Sequence, residues 1–208
     1  MIIDTHSHLN FSAYKKDFDE VIKRTLKENI WMINVGTKYE TSKGAVELSE
    51  KYKEGVFAAV GLHPIYAAAE FVKTKTDPDE GEFLIKEQSF DYEKYKELAL
   101  SRGKKLVAIG EVGLDYYYKP KSKEKLVKFK EKQKEIFLQQ LKLADELNLP
   151  LIFHCMVAHR DRIDILEPKT QGLKVRGVVH CFTGSVEEMR EYVKLGFYIG
   201  LNGIIFKL

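Results

Sequence analysis

Five apolar runs in this sequence stop at residues that bind metals. Met1-Ile2-Ile3-Asp4-Thr5 leads into His6-Ser7-His8, and Val56 to Leu62 ends at His63. Leu106-Val107-Ala108-Ile109-Gly110 ends at Glu111, Leu149 to Phe153 at His154, and Val175 to Val179 at His180. Between the runs, apolar residues recur at helical spacing, for example Leu126, Phe129, Gln133, Phe137, Leu141, Ala144 and Leu147. Buried strands joined by helices throughout predict parallel pairing. Parallel strands closed around a barrel share one face at their C-terminal ends, and the chemistry gathers there.

Strands are predicted near 2–6, 30–36, 56–62, 105–111, 150–154, 175–180 and 197–201. Helices are predicted at about 40–53, 92–101, 122–147, 158–167 and 185–195, with a further helical pattern through Phe18, Val21, Ile22, Thr25 and Leu26. Ser122 is the candidate cap of the longest helix, and Ser185 with Glu188 fits a capping box. The expected fold is α/β, a TIM-type (β/α) barrel of the metal-dependent hydrolase kind. A closed barrel has eight strands and about 250 residues. Seven strands are counted here, so the barrel is expected to be incomplete and the chain cut short, with Ile204-Ile205-Phe206 as an uncovered apolar end. One domain over 1–208 is expected, with a polar insertion at about 73–90 that is a candidate lid.

Composition narrows the class. The 208 residues are 44% hydrophobic and 31% charged, with a formal net charge of +3, which is an ordinary globular balance. A dedicated nucleic-acid binder usually carries a stronger bias. The strongest local bias is at 119–134, with eight Lys against two Glu. It reads as a solvated helix face or as an edge that steers phosphate. Two cysteines, Cys155 and Cys181, form no disulfide framework and fit a reducing cytoplasm. No signal peptide and no run of 18 apolar residues is visible, so no membrane association is expected. Nothing implies an obligate protein partner.

His6-Ser7-His8 puts two imidazoles on one side of a strand, because side chains alternate. Glu111 adds a carboxylate that can bridge two ions. Imidazoles with one carboxylate suit Zn, Mn or a similar ion better than Ca. A carboxylate-bridged pair of ions activates water and stabilises both oxygens of a phosphodiester displacement. The same machinery hydrolyses amides and esters, so the residues alone define hydrolysis and leave the substrate open.

Asp4-Thr5-His6-Ser7-His8-Leu9, Val60-Gly61-Leu62-His63-Pro64, Ile109 to Tyr117, Leu149 to Cys155 and His180-Cys181-Phe182-Thr183-Gly184 occur in this order. Together they resemble the TatD family of metal-dependent deoxyribonucleases, within the amidohydrolase-like barrels. The resemblance implies two divalent ions (Zn, Mg or Mn), with His6 and His8 on the first, Glu111 bridging, and His154 and His180 completing the second. It implies that His63 lies at the site edge as a catalytic group contacting phosphate. Asp115 is read as orienting a ligand. The implied activity is hydrolysis of DNA, single-stranded or at 3′ ends.

Two departures from the family pattern stand out. Met156 and Val157 replace an Arg and an acidic residue that often follow the His154 strand end, and His159 is a candidate to compensate or a structural helix-surface residue. The family's last ligand, an Asp after an eighth strand, has no counterpart here. The alternatives are therefore an amide or ester hydrolase of the same barrel superfamily, or a catalytically impaired fragment.

Overall fold

In the computed structural model, residues 1–72, 89–101, 103–170 and 175–206 are described. The strands are β1 (Ile2–Ser7), β2 (Ile30–Val35), β3 (Val56–Val60), β4 (Leu106–Asp115), β5 (Leu151–Met156), β6 (Gly177–Val179) and β7 (Tyr198–Ile199). The helices are α1 (Phe18–Lys27), α2 (Tyr39–Glu50), α3 (Pro64–Ala67), α4 (Tyr92–Leu100), α5 (Lys123–Glu146), α6 (His159–Thr170) and α7 (Val186–Lys194). All seven strands pair in parallel, each with its neighbour in sequence.

The sheet curls. Five inter-strand steps of about 4.8 Å would hold β1 and β6 roughly 24 Å apart in a flat sheet. Instead the His6 and His180 rings, at the ends of these two strands, stack with centroids 3.7 Å apart. The inner face of the curl is lined by Val35, Ala59, Ala108 and Ile152, with Ile33 and Val178 against them. The outer face packs on the helices, where Phe137 of α5 meets Phe153 of β5 edge to face, and Phe153 meets Phe197 in the same way.

The two predicted caps differ at atomic detail. Ser185 caps α7 in a full capping box with Glu188, whereas Ser122 flanks α5 without a side-chain hydrogen bond. β4 runs to Asp115, four residues beyond the predicted end at Glu111. The reason lies in its ladder: Ile109 pairs with Leu151, but Val112 pairs with Phe153, so β4 carries one extra residue. That bulge turns Glu111 onto the inner face, where alternation from Ala108 would point it outward. The strand then continues alongside β5, with Gly113 opposite His154 and Asp115 opposite Met156. Gly113 has φ +148°, and a Cβ there would run into the His154 carbonyl oxygen. The insertion predicted at about 73–90 falls almost wholly on 73–88, outside the described residues.

Phe137 is fully buried at the centre of the outer core. Phe137→Ala should lower the unfolding free energy by about 3–5 kcal/mol, measured by urea denaturation.

Candidate metal centre

The site grows from the strand ends. Ser7 turns away from the mouth, and its hydroxyl donates to the Ile33 carbonyl at 3.0 Å. His6 and His8 therefore point together, with their Nε2 atoms 2.9 Å apart. Asn34, fully buried on β2, fixes the exit of the chain by accepting from the Leu9 amide at 3.0 Å. His8 Nδ1 lies 3.0 Å from the Val35 carbonyl, which can only accept, so Nδ1 carries the proton and Nε2 presents a lone pair to the mouth. Metal-ligating imidazoles are commonly oriented by such a bond.

Glu111 is the hub. It is 3% exposed, and its Oε1 lies 2.7 Å from His180 Nε2, 2.8 Å from His154 Nδ1 and 3.4 Å from His63 Nε2. Its Oε2 lies 3.3 Å from His6 Nε2 and 3.7 Å from His8 Nε2. Burial pushes this carboxyl up, but the electrostatic pull of the imidazoles around it, His6 first and then His180 and His63, with the bond from His154, outweighs it and holds the acid well below its ordinary range. His154 also reaches Asp115, with Nε2 3.2 Å from Oδ2. Burial alone would push His154 down, yet Asp115 and Glu111 raise it to about 9. His180 faces the opposite balance: burial carries it down to about 3 despite Glu111.

The donor set fits divalent cations. Two carboxylates are buried here and their neighbours are imidazoles, so positive charge must come from an imidazolium or from a bound ion. Two groups bring ligand atoms within 4.8 Å of one another: His6, Glu111 and His180, and His63, Asp115 and His154. His180 is thus grouped with His6, where the resemblance implied a place beside His154. Asp115, read from sequence as orienting a ligand, offers a carboxylate oxygen of its own.

His63 presents a proton rather than a lone pair. It precedes α3, and its Nδ1 accepts from the Ile65 amide at 3.1 Å. A neutral imidazole accepting at Nδ1 has its proton on Nε2. That atom faces Glu111 as a donor and has no lone pair to give an ion. Its geometry suits a hydrogen bond to an anion in the mouth.

His159 stands apart. It opens α6, is buried, and places Nδ1 3.2 Å from the Tyr192 hydroxyl, so it is not the helix-surface residue expected from sequence. Beneath it lies a residue that sequence reasoning passed over. Arg162 is fully buried between the Phe153 and Tyr192 rings, donating from Nε to the Tyr192 hydroxyl at 3.0 Å. Met156 and Val157 bring no guanidinium of their own, but Arg162 Nη1 donates to the His154 carbonyl at 3.4 Å.

The family model described as TatD related DNase matches residues 3–207. The chain belongs to that family. It is 39% identical over its whole length to the uncharacterized metal-dependent hydrolase YabD of Bacillus subtilis, of which it covers 71%. It is 30% identical over 97% of its length to the 3′-5′ ssDNA/RNA exonuclease TatD of Citrobacter koseri, covering 67% of that protein. The crystal structure of YJJV, a TatD homolog from Escherichia coli K12, superimposes with a TM-score of 0.75 at 28% identity, over 98% of this chain and 69% of that one. The chain spans 56 to 71% of the length of the curated relatives it matches.

Burial first, and then the Arg162 charge, push His159 down from 6.5 to about 4. A depressed histidine stays neutral in the fold while the unfolded chain takes up a proton. Stability is therefore full above pH 6.5 and is lost as pH falls towards 4. Between those limits the protein should lose roughly 3 kcal/mol more than His159→Gln, read from urea unfolding at each pH.

Proposed function

We propose that this chain acts as a divalent-metal-dependent phosphodiesterase that cleaves DNA, acting on single strands from a 3′ end. The observation that carries the reading is the buried Glu111 carboxylate with five imidazole nitrogens within 3.7 Å. His6, His8, Glu111 and His180 would hold one ion, and Glu111, His154 and Asp115 the other. Bound there, divalent ions supply a nucleophile from water near neutral pH and charge to stabilise a phosphodiester in displacement.

The chain's own groups do the rest. Glu111 ties both halves of the site together: Oε1 faces His180, His154 and His63, and Oε2 faces His6 and His8. Nε2–H of His63 donates to a phosphate oxygen and orients the scissile group. The Val35 carbonyl keeps His8 in the tautomer that turns an Nε2 lone pair to the mouth. On the α1 side of His6 and His8 lies a separate cleft of about 590 Å³, lined by Leu9, Phe11, Arg24 and Met32. The two cysteines, both free, favour a reducing compartment such as the cytoplasm. Among the described residues no helix is long and apolar enough to cross a membrane.

A preference for single strands is supported by the turn after Asp115. The Tyr117 amide donates to Asp115 Oδ1 at 2.8 Å, which ties that turn to the site. Tyr117 and Tyr118 are exposed there and meet edge to face at 4.8 Å. Unpaired bases stack on such rings, and paired ones are already stacked on each other. Lys119, Lys121, Lys123 and Lys125 come next in sequence, all exposed. By contrast, Lys128 pairs with Glu124, and Lys130 and Lys134 with Asp161. Three lysines of the basic stretch are thus engaged in ion pairs, and four are exposed cations open to a nucleic-acid backbone.

Glu111→Gln keeps shape and removes charge. It should abolish manganese uptake in a calorimetric titration and cut hydrolysis of a 3′-labelled single strand by roughly 10³-fold. Full activity in this variant would remove the reading. An aryl ester assayed beside the DNA separates a phosphodiesterase from an acyl hydrolase, which would turn over the ester alone. Replacing both Tyr117 and Tyr118 with Ala should raise KM for a single-stranded oligonucleotide about tenfold and leave kcat nearly unchanged, with Phe at both positions restoring KM.

A further inference from the structure

Two of the groups in the mouth, His63 and Asp115, lie beyond the point where β3 and β4 pair: His63 follows the end of β3, and Asp115 is the last residue of β4. The last β3–β4 pair is Val60 with Ile109. His63 comes three residues later and Asp115 six, so the ladder that sets the lower sheet says nothing about their spacing. Beyond it, β4 is paired only to β5.

Two glutamines of α5 fill the gap. Gln140 donates from Nε2 to the Leu62 carbonyl at 3.0 Å and accepts from the Leu62 amide at 2.8 Å. Gln133 donates to the Asp115 carbonyl at 2.9 Å and accepts from the Asp115 amide at 2.8 Å. Each side-chain amide thus mimics a missing neighbour strand, satisfying both the N–H and the C=O of one residue. Both glutamines are buried, at 1% and 0% exposure. They are two helical turns apart on a single face of one helix. α5 therefore holds the peptide before His63 and the peptide of Asp115 on one rigid rod.

We propose that Gln133 and Gln140 are positioning residues: α5, through these two side chains, sets where Asp115 and His63 stand relative to His154 and Glu111. The proposal rests on the reading of this mouth as a two-ion site, and it assigns that site's spacing to a helix that contributes no group to it. The ligand it serves is a divalent cation on the Asp115 side and an anion on the His63 side.

The test uses Gln133→Met and Gln140→Met, with Leu141→Ala as a control of the same helix that is buried but bonds neither strand end. In metal-free protein, the His154 ring N–H resonance reports the bond to Asp115 without any ion or substrate. It should move in Gln133→Met and stay in place in the control, even where the control is the less stable protein. In manganese titrations Gln133→Met should bind its second ion about tenfold more weakly, the usual cost of losing a group that orients a ligand. Gln140→Met should keep both ions and show a raised KM, because only the His63 side shifts. Should Gln133→Met fail to fold, Gln133→Glu keeps the acceptor for the Asp115 amide and should shift the same resonance by a smaller amount. Wild-type resonances, ion affinities and KM in both folded variants would overturn the proposal. Wild-type protein that takes up no manganese would instead overturn the two-ion reading, and the His154 resonance would still decide the role of Gln133.

Discussion

A buried carboxylate ringed by imidazoles is the interaction on which the rest of this structure depends. Glu111 is drawn out of water to 3% exposure, and such a charge is tolerated only where partners compensate it. The partners come from the ends of β1, β3, β5 and β6 and cannot be reached from a flat sheet. The curl that brings His6 against His180 is therefore both the fold and the condition for the site. Small residues on the inner face, Ala59 and Ala108 between Val35 and Ile152, let the strands close that tightly.

Burial lowers both His154 and His180, and the carboxylates each one faces set them apart. His154 lies between two carboxylates that raise it above the ordinary histidine range, whereas His180, equally deep but facing one, is carried below it. His8 and His63 are sorted by their backbone partners instead. A carbonyl beside Nδ1 leaves His8 with a lone pair at the mouth, and an amide beside Nδ1 leaves His63 with a proton there. Four strand-end histidines thus take distinct roles although the sequence writes them alike. Ion binding and hydrogen-bond donation are divided among them by the groups each ring meets on its other side.

The sequence made the chemistry legible and left much of the geometry hidden. Strand-end His and Glu announced a parallel barrel mouth, because nothing else puts ligand types at the ends of successive apolar runs. The order and parallel pairing of the seven strands followed from the same pattern. The β4 bulge was hidden, since one extra residue leaves no compositional trace, and with it went the extension of β4 to Asp115. Gln133 was visible only as part of an inner stripe. A polar residue at that position of an otherwise apolar helix face was the available signal, and Gln140 beside Leu141 gave none. His159 looked like a surface residue because Arg160, Asp161 and Arg162 follow it, yet Arg162 lies inside, stacked between two rings. Its long apolar stem and planar head make that burial possible where a lysine would fail.

The mouth also costs stability, and the cost is concentrated where the chain leaves it. Val157 follows the end of β5 with φ +57°, and Cys181 follows His180 with φ +45°. Neither residue type favours that left-handed region, and each such placement costs on the order of 1–3 kcal/mol. A β-branched valine is the more costly of the two. Relaxing them would let the chain leave β5 and β6 in ordinary extended form, and the strand ends that aim His154 and His180 at Glu111 would turn with it. The offset comes from directly below: Phe153, one residue before His154, is fully buried against Phe137 and Phe197, and Val179, one residue before His180, is fully buried as well. Each histidine is therefore pinned on one side by core packing and on the other by a strained exit. A ligand held between two such constraints has little freedom to swing away from a buried carboxylate, which is what a preformed cation site requires.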